Sequence, residues 1–261
     1  MGILNVTPDS FSGDGVGADI GTAVRRAVEF EHSGADIIDV GGESTRPPSL
    51  YREAQPVSED EELSRVIPVI ERLINEIDIP ISIDSYKAKV THEAITAGAS
   101  MANDVCALKG DPEMANTIAA AGVPLVLMHN QRQPCYRDVV REVIEGLQER
   151  VVEAVSMGIR PSNIIVDPGI GFGKTVEHNL ELLRRLSEFH SIPHPLLVGT
   201  SRKSLVGRTL DLPVNDRIEG TAATVSLSIA GGADIVRVHD VKQMNRVVRM
   251  TDAVVRGELA T

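Results

Sequence analysis

The sequence predicts a (β/α)8 barrel spanning residues 1–261 as one domain, and three observations carry that prediction. Short β-branched runs alternate with longer amphipathic stretches from one end to the other. There are eight such units in 261 residues, the usual size of a single α/β barrel. The strand candidates are continuous apolar runs, the pattern expected of strands covered on both faces, and no low-complexity or Pro/Ser/Gly-rich linker divides the chain.

The strand candidates begin near Ile3, Asp36, Ile81, Met101, Leu125, Ile164, Leu196 and Ile235, each four to six residues long and bounded by turn residues. Between them lie helical patterns. A first helix presents Ala23, Val24, Ala27 and Val28. The clearest helix starts after Ser58, with Leu63, Val66, Ile67, Ile70, Leu73, Ile74 and Ile77 recurring at threes and fours. Ser58 and Glu61 form a capping box at its start, and Pro68 is expected to kink it. A later helix, opened by Thr175, carries Leu180, Leu183, Leu186 and Phe189 on one face.

Composition excludes whole classes of partner. Lys and Arg total 26 against 37 Asp and Glu, a net charge of −11, so the basic stripe of a nucleic-acid-binding surface is missing. Aromatic residues are only 3% of the chain and Trp is absent, which removes most stacking platforms for single strands. No apolar run approaches the roughly 20 residues of a membrane span, and MGILNVTPDS lacks the charged start and apolar centre of a signal peptide. These features predict a soluble cytoplasmic protein that binds small molecules, with no nucleic-acid and no membrane partner. Cys106 and Cys135 stand apart and make neither a disulfide framework nor a zinc pair.

Barrel enzymes gather their chemistry at the C-terminal ends of the strands. Strand by strand, those ends deliver Asn5, Gly41 to Pro47, Asp84, Asn103 with Asp104, Met128-His129-Asn130, Asp167, Thr200 to Ser204, and Arg237 with His239. Any one of these has a plain structural alternative as a turn former or helix cap, and His129 reads as a loop histidine. Eight polar groups on one rim do not. Arg237 and His239 alternate with Val236 and Val238, so both fall on one face of the last strand.

Asp167-Pro168-Gly169-Ile170-Gly171-Phe172-Gly173-Lys174-Thr175 resembles a phosphate-binding loop, but Pro168 stands where the first glycine must be. It reads as a flexible rim loop that places Phe172 over a pocket. Gly199 to Ser204 reads instead as an anion site at a helix start, aided by Arg202 and Ser204, with Lys203 adding a charge that can also donate to a heterocycle. The carboxylates Asp84 and Asp167 suit a donor-rich heterocycle. The cations Lys203, Arg237 and His239 suit phosphate or pyrophosphate, and Asn5 is placed to meet a Mg²⁺ ion. These residue types point to a transferase or lyase acting on a phosphorylated heterocycle.

Met1 to Ser12, MGILNVTPDSFS, and Gly34 to Pro47, GADIIDVGGESTRP, resemble the two opening signatures of the dihydropteroate synthase family. The resemblance continues through Ser82-Ile83-Asp84-Ser85, Asn103-Asp104, Asp167 to Lys174, Ser201 to Ser204 and Arg237 to Asp240, in order and over essentially the whole chain. It implies a (β/α)8 barrel that condenses 6-hydroxymethyl-7,8-dihydropterin pyrophosphate with 4-aminobenzoate in folate biosynthesis. Carried over by position, Asn5 would bind Mg²⁺ and pyrophosphate, with Arg237 and His239 on the same anion. Asp84, Asn103, Met128, Asp167 and Lys203 would line the pterin site. Phe11, Thr45, Arg46, Pro47, Phe172 and Ser204 would form the aminobenzoate pocket. Lys203, Asp167, Arg237, His239 and Asp84 are the residues expected to act in catalysis, and a homodimer through the late helices is implied.

The sequence departs from the family pattern at Gly13-Asp14-Gly15 and between Asn130 and Tyr136. Both segments border the implied aminobenzoate site, which raises a sulfonamide-insensitive form of the same enzyme as an alternative. A pterin-binding methyltransferase serving a corrinoid would not need the Ser201 to Ser204 and Thr45-Arg46-Pro47 constellations. A non-catalytic pterin-binding barrel would not need Asn5 and the rim cations.

Overall fold

In the computed structural model, which describes residues 1–7, 19–43 and 57–257, the strands run parallel around a closed ring. The order is β1 (Gly2–Asn5), α1 (Ile20–His32), β2 (Ile38–Gly41), α2 (Glu59–Leu73), β3 (Ile81–Asp84), α3 (Ala88–Thr96), β4 (Met101–Asp104) and α4 (Met114–Ala121). It continues with β5 (Leu125–Met128), α5 (Val139–Ser156), β6 (Ile164–Asp167), α6 (Val176–Arg184), β7 (Leu197–Val198), α7 (Ser204–Leu210), α8 (Ile218–Ala230), β8 (Ile235–Val236) and α9 (Val241–Val255).

Strands β1 to β6 form one parallel ladder and β7 pairs with β8. Two single bridges join these sheets into a barrel. Val166 meets Leu196 at the β6–β7 seam, and Gly2 meets Val238 at the β8–β1 seam, where Ile3 N donates to the Val238 carbonyl at 2.9 Å. The strands are shorter at the second half than the sequence suggests. β7 and β8 have two residues each, so Arg237 and His239 stand just past β8 rather than on it. The backbone there stays extended enough for Arg237 N to donate to the Val198 carbonyl at 3.0 Å, which keeps Arg237 in register with the ring.

The period of two sorts each strand into an outer and an inner row. Outward residues such as Leu4, Ile38, Val40, Ile83, Leu125, Leu127, Ile164 and Val166 pack against the helices in one large core. Inward residues Met1, Met101, Val126 and Leu197, with Ile37, Ile165 and Ile235 against them, plug the lower barrel. Two residues further along each strand the inward row turns polar: Asp39, Asn103, Asp167 and Arg237. The cross-strand register adds Asp84 between Gly41 and Asn103. Apolar below and ionisable above, the interior is set by strand parity alone.

The helices follow their sequence signals with adjustments at the ends. Ser58 caps α2 by accepting from Glu61 N at 3.2 Å, and the helix runs through Pro68 to Leu73, leaving Ile77 buried in the following turn. Thr175 caps α6 in a box with His178. The helix stops at Arg184, so Leu186 and Phe189 are buried by a 3-10 turn over Leu186–Ser191 instead of a continuing helix. Among the described residues, no helix is long and apolar enough to cross a membrane.

Candidate active site

The inward polar row builds one charge network at the barrel mouth. Arg237 spans it, donating from Nε to Asp39 Oδ2 and from Nη2 to Asp84 Oδ2, both at 2.6 Å. Asn103 donates to the same Asp39 oxygen at 3.2 Å. Asp39 and Asp84 each keep a second oxygen, Oδ1, that is buried with no hydrogen-bond partner among the described residues. A buried acceptor left unpaired costs roughly 1–3 kcal/mol, so these oxygens favour a ligand that brings N–H donors. Burial pushes the Asp84 carboxyl upward; Arg237 opposes the shift and the Asp39 carboxylate adds to it.

Across the mouth, Asp167 closes β6 and accepts from Gly169 N at 2.7 Å. Burial raises its carboxyl too, with Lys203 acting against the rise. Lys203 caps α7 from the loop after β7 and donates to the Ile170 carbonyl, and its Nζ lies 4.9 Å from the centre of the Phe172 ring. Burial brings the Lys203 ammonium down to about 8 despite the attraction of Asp167. Gly199 ends the run after β7 between the two cations, its missing Cβ position 3.7 Å from both Lys203 Nζ and Arg237 Cβ, an ordinary contact distance. His239 is held by Ser201, whose Oγ is 3.1 Å from its backbone nitrogen and 3.0 Å from Nδ1. Asn5 ends β1, half-buried, Met128 ends β5, buried, and Ser204 opens α7, half-buried.

The loop after β6 is not the flexible rim the sequence suggested. Gly169 and Gly173 have φ of 67° and 57°, and a Cβ on either would stand 1.9 Å from a carbonyl oxygen, that of His129 or of Gln131. Gly171 N is held by Asn179 Oδ1 at 2.7 Å. Lys174, the residue that mimics a phosphate-loop lysine, points into this loop, against its own carbonyls. Arg202, expected to help bind an anion, forks onto Asp240 at 2.9 and 2.5 Å from a left-handed backbone position, φ 56°.

The structure therefore brings together Asp84, Asn103, Asp167, Lys203, Phe172 and Arg237, with His239 held on Ser201 just past β8 and with Asn5, Met128 and Ser204 on the ends of neighbouring strands and helices. Phe11, Thr45, Arg46 and Pro47 lie outside the described residues. Sequence reasoning passed over Asp39, although an acid inside the apolar run Ile37 to Val40 is itself a signal. It also passed over Lys87, whose Nζ meets Glu43 at 2.7 Å, Glu62 at 2.5 Å and the Val57 carbonyl at 2.6 Å. That triad is assembled from three separate elements and has no local pattern. Among the described residues no group of three His, Cys, Asp or Glu side chains is arranged to hold a metal. One amide oxygen, from Asn5, suits a hard ion that arrives already coordinated by phosphate oxygens and water, the habit of Mg²⁺.

A parallel barrel whose mouth sets buried carboxylates beside Arg and Lys has the acceptors and cations that an anionic, donor-rich heterocycle would need. Residues 1–239 match the family model described as pterin binding enzyme. The chain is 53% identical over 253 residues to the dihydropteroate synthase of Bacillus subtilis, covering 97% of this chain and 87% of that one. Its backbone matches that of the Clostridium difficile dihydropteroate synthase, crystallised in the presence of pteroic acid, with a TM-score of 0.92 at 47% identity, covering 98% and 96% of the two chains. The Xanthomonas albilineans synthase with 4-aminobenzoic acid gives 0.90 at 41% identity, covering 97% and 92%. The chain belongs to the pterin-binding enzymes and, among them, to the dihydropteroate synthase family.

Proposed function

We propose that the protein joins 6-hydroxymethyl-7,8-dihydropterin pyrophosphate to 4-aminobenzoate, releasing pyrophosphate and 7,8-dihydropteroate. The observation that carries this reading is the opposition of acceptor and cation across the mouth. Asp84 and Asp167 offer acceptor oxygens to the amino and ring N–H groups of a pterin, and the unpaired Asp84 Oδ1 gains a donor when the ring binds. Lys203, Arg237 and His239 supply the positive side for pyrophosphate. Asn103 and Met128 would complete the pterin walls, and Phe172 with Ser204 would meet 4-aminobenzoate.

The chemistry follows from the charges. The C–O bond between the pterin methylene and pyrophosphate breaks with its electron pair leaving on oxygen, and the electron-rich ring shares the resulting positive charge. Arg237 and His239 stabilise the departing anion, and the Asp167 carboxylate faces the developing cation. The aryl amine then forms the new C–N bond and gives up a proton to solvent or pyrophosphate. Mg²⁺, held by Asn5 together with the substrate's own phosphate oxygens, would add charge neutralisation to the leaving group. We assign a second copy of the chain to the exposed apolar residues Leu227 on α8 and Met250, Val254 and Val255 on α9, which form a homodimer face away from the mouth.

The test mixes the protein with the pterin pyrophosphate, 4-aminobenzoate and Mg²⁺ and follows pyrophosphate. Release that requires all the components is expected. Release no faster than without protein overturns the reading.

A further inference from the structure

Lys174 takes no part in the chemistry above, although it is buried beside it. Its Nζ lies 3.0 Å from the carbonyls of Gly169 and Phe172, 3.3 Å from that of His129 and 3.1 Å from His129 Nδ1. Among the described residues no carboxylate comes within ion-pair reach of it. An ammonium has three protons, and here all its neighbours are backbone carbonyls and one ring nitrogen. Two of those carbonyls belong to the loop after β6, and the other two acceptors sit on His129, directly after β5. Lys174 therefore fastens that loop both to itself and to the neighbouring strand.

The other face of the same loop holds the reacting side of the mouth. Gly169 N donates to Asp167, the Ile170 carbonyl accepts from Lys203, and the Phe172 ring lies under the Lys203 ammonium. The contacts that this loop makes to Asp167 and Lys203 thus come from backbone that Lys174 ties down. The glycines leave the loop little freedom to reach these groups by another path, because Gly169 and Gly173 already press against the carbonyls of His129 and Gln131.

We propose that Lys174 is a positioning residue for the pterin site: by tying the loop to the end of β5, it fixes where Phe172, Ile170 and Gly169 hold Lys203 and Asp167. This rests on the reading that the mouth binds the pterin substrate. The test is a double-mutant cycle with Lys174→Met, which keeps the aliphatic stem, and Phe172→Leu. Binding of the pterin pyrophosphate is measured by calorimetry without 4-aminobenzoate, beside thermal melting.

Outer-sphere partners of functional groups cost about 10- to 100-fold when removed, so Lys174→Met is expected to weaken binding about 10-fold. The double variant should bind little worse than Lys174→Met alone, because both changes act through one element. A merely structural lysine would lower the melting temperature and give losses that multiply. Affinity within twofold of the parent, or a fully multiplicative double variant, overturns the proposal. Should Lys174→Met not accumulate folded, Lys174→Leu, which likewise carries no donor, takes its place in the cycle with the same criteria. A parent protein that does not bind the pterin pyrophosphate overturns the functional reading instead, so the two failures are distinct.

Discussion

Lys87 and Lys203 follow opposite strands of the ring, β3 and β7, and are held by opposite kinds of partner. Burial alone would lower the Lys87 ammonium, but the hydrogen bonds it donates to Glu43 and Glu62 outweigh it and leave Lys87 more basic than a free lysine. Lys203 donates to a backbone carbonyl and rests on an aromatic ring, and burial prevails, bringing it to about 8. Lys174, on the same flank, has carbonyls and an imidazole nitrogen and falls to about 7. A carboxylate in direct contact compensates a buried ammonium; carbonyls, even with the Asp167 charge acting from further off, do so only in part. The β3 flank therefore closes its charge within the protein, whereas the β6–β7 flank keeps positive charge that an anionic substrate can complete.

The contrast is sharpest when each lysine is removed. Lys87→Met leaves Glu62, 1% exposed, without its cation, and breaking one side of a buried pair costs about 3–5 kcal/mol. Denaturant unfolding should show a loss of that size, with much of it recovered by adding Glu62→Leu, while turnover per folded molecule changes little. Lys203→Met should do the reverse. The melting temperature should hold or rise, and kcat/KM should fall about 100-fold, near 3 kcal/mol of transition-state stabilisation. If Lys203→Met unfolds the protein as readily as Lys87→Met, the two flanks are not different in kind. Asp39→Asn probes the ground between them. It removes the charge that holds Arg237 and that raises Asp84, so kcat/KM should drop about 10-fold. The acid limb of its pH profile should also move to lower pH; a limb that stays in place would remove Asp39 from the network.

The division between flanks also marks what a sequence can disclose. The barrel was legible because strand parity and helix periodicity are local properties, and strand ends report the mouth directly. Asp84, Asp167, Lys203 and Arg237 were found that way. Strand length was less legible: β7 and β8 have two residues each, because strand length depends on pairing with neighbours distant in sequence. Lys87 was invisible because its carboxylates come from the end of β2 and from α2, and nothing within a window of the chain joins them. Lys174 stood out only as the lysine of a phosphate-loop pattern that Pro168 rules out, and its own role was not legible. Its place after three alternating glycines mimics a phosphate loop, and only their left-handed conformations turn the ammonium back onto carbonyls.

The smallest effect distinguishes the flanks by proton uptake. Lys174 and Lys203 release their protons near pH 7 and 8 when folded and near 10.5 when unfolded, so between pH 7 and 9 the unfolded chain binds more protons. Stability must then rise with pH across that window, by up to about 1.4 kcal/mol per unit for each full proton of difference. Lys87, raised rather than lowered, keeps its proton in both states there and contributes no slope. The Asp84 carboxyl, raised to about 7, and the Cys106 thiol, pushed up to about 11 by burial, act in the opposite sense. The first does so near pH 7 and the second from about pH 8 upward, but they do so alike in the parent and in Lys174→Met. Urea unfolding at pH 7 and pH 8 should therefore show the parent gaining more than Lys174→Met by about 1 kcal/mol. Lys87→Met should gain as much as the parent. A parent whose stability falls over the same interval would show that the carbonyl-held lysines stay charged, and the difference between the flanks would reduce to geometry.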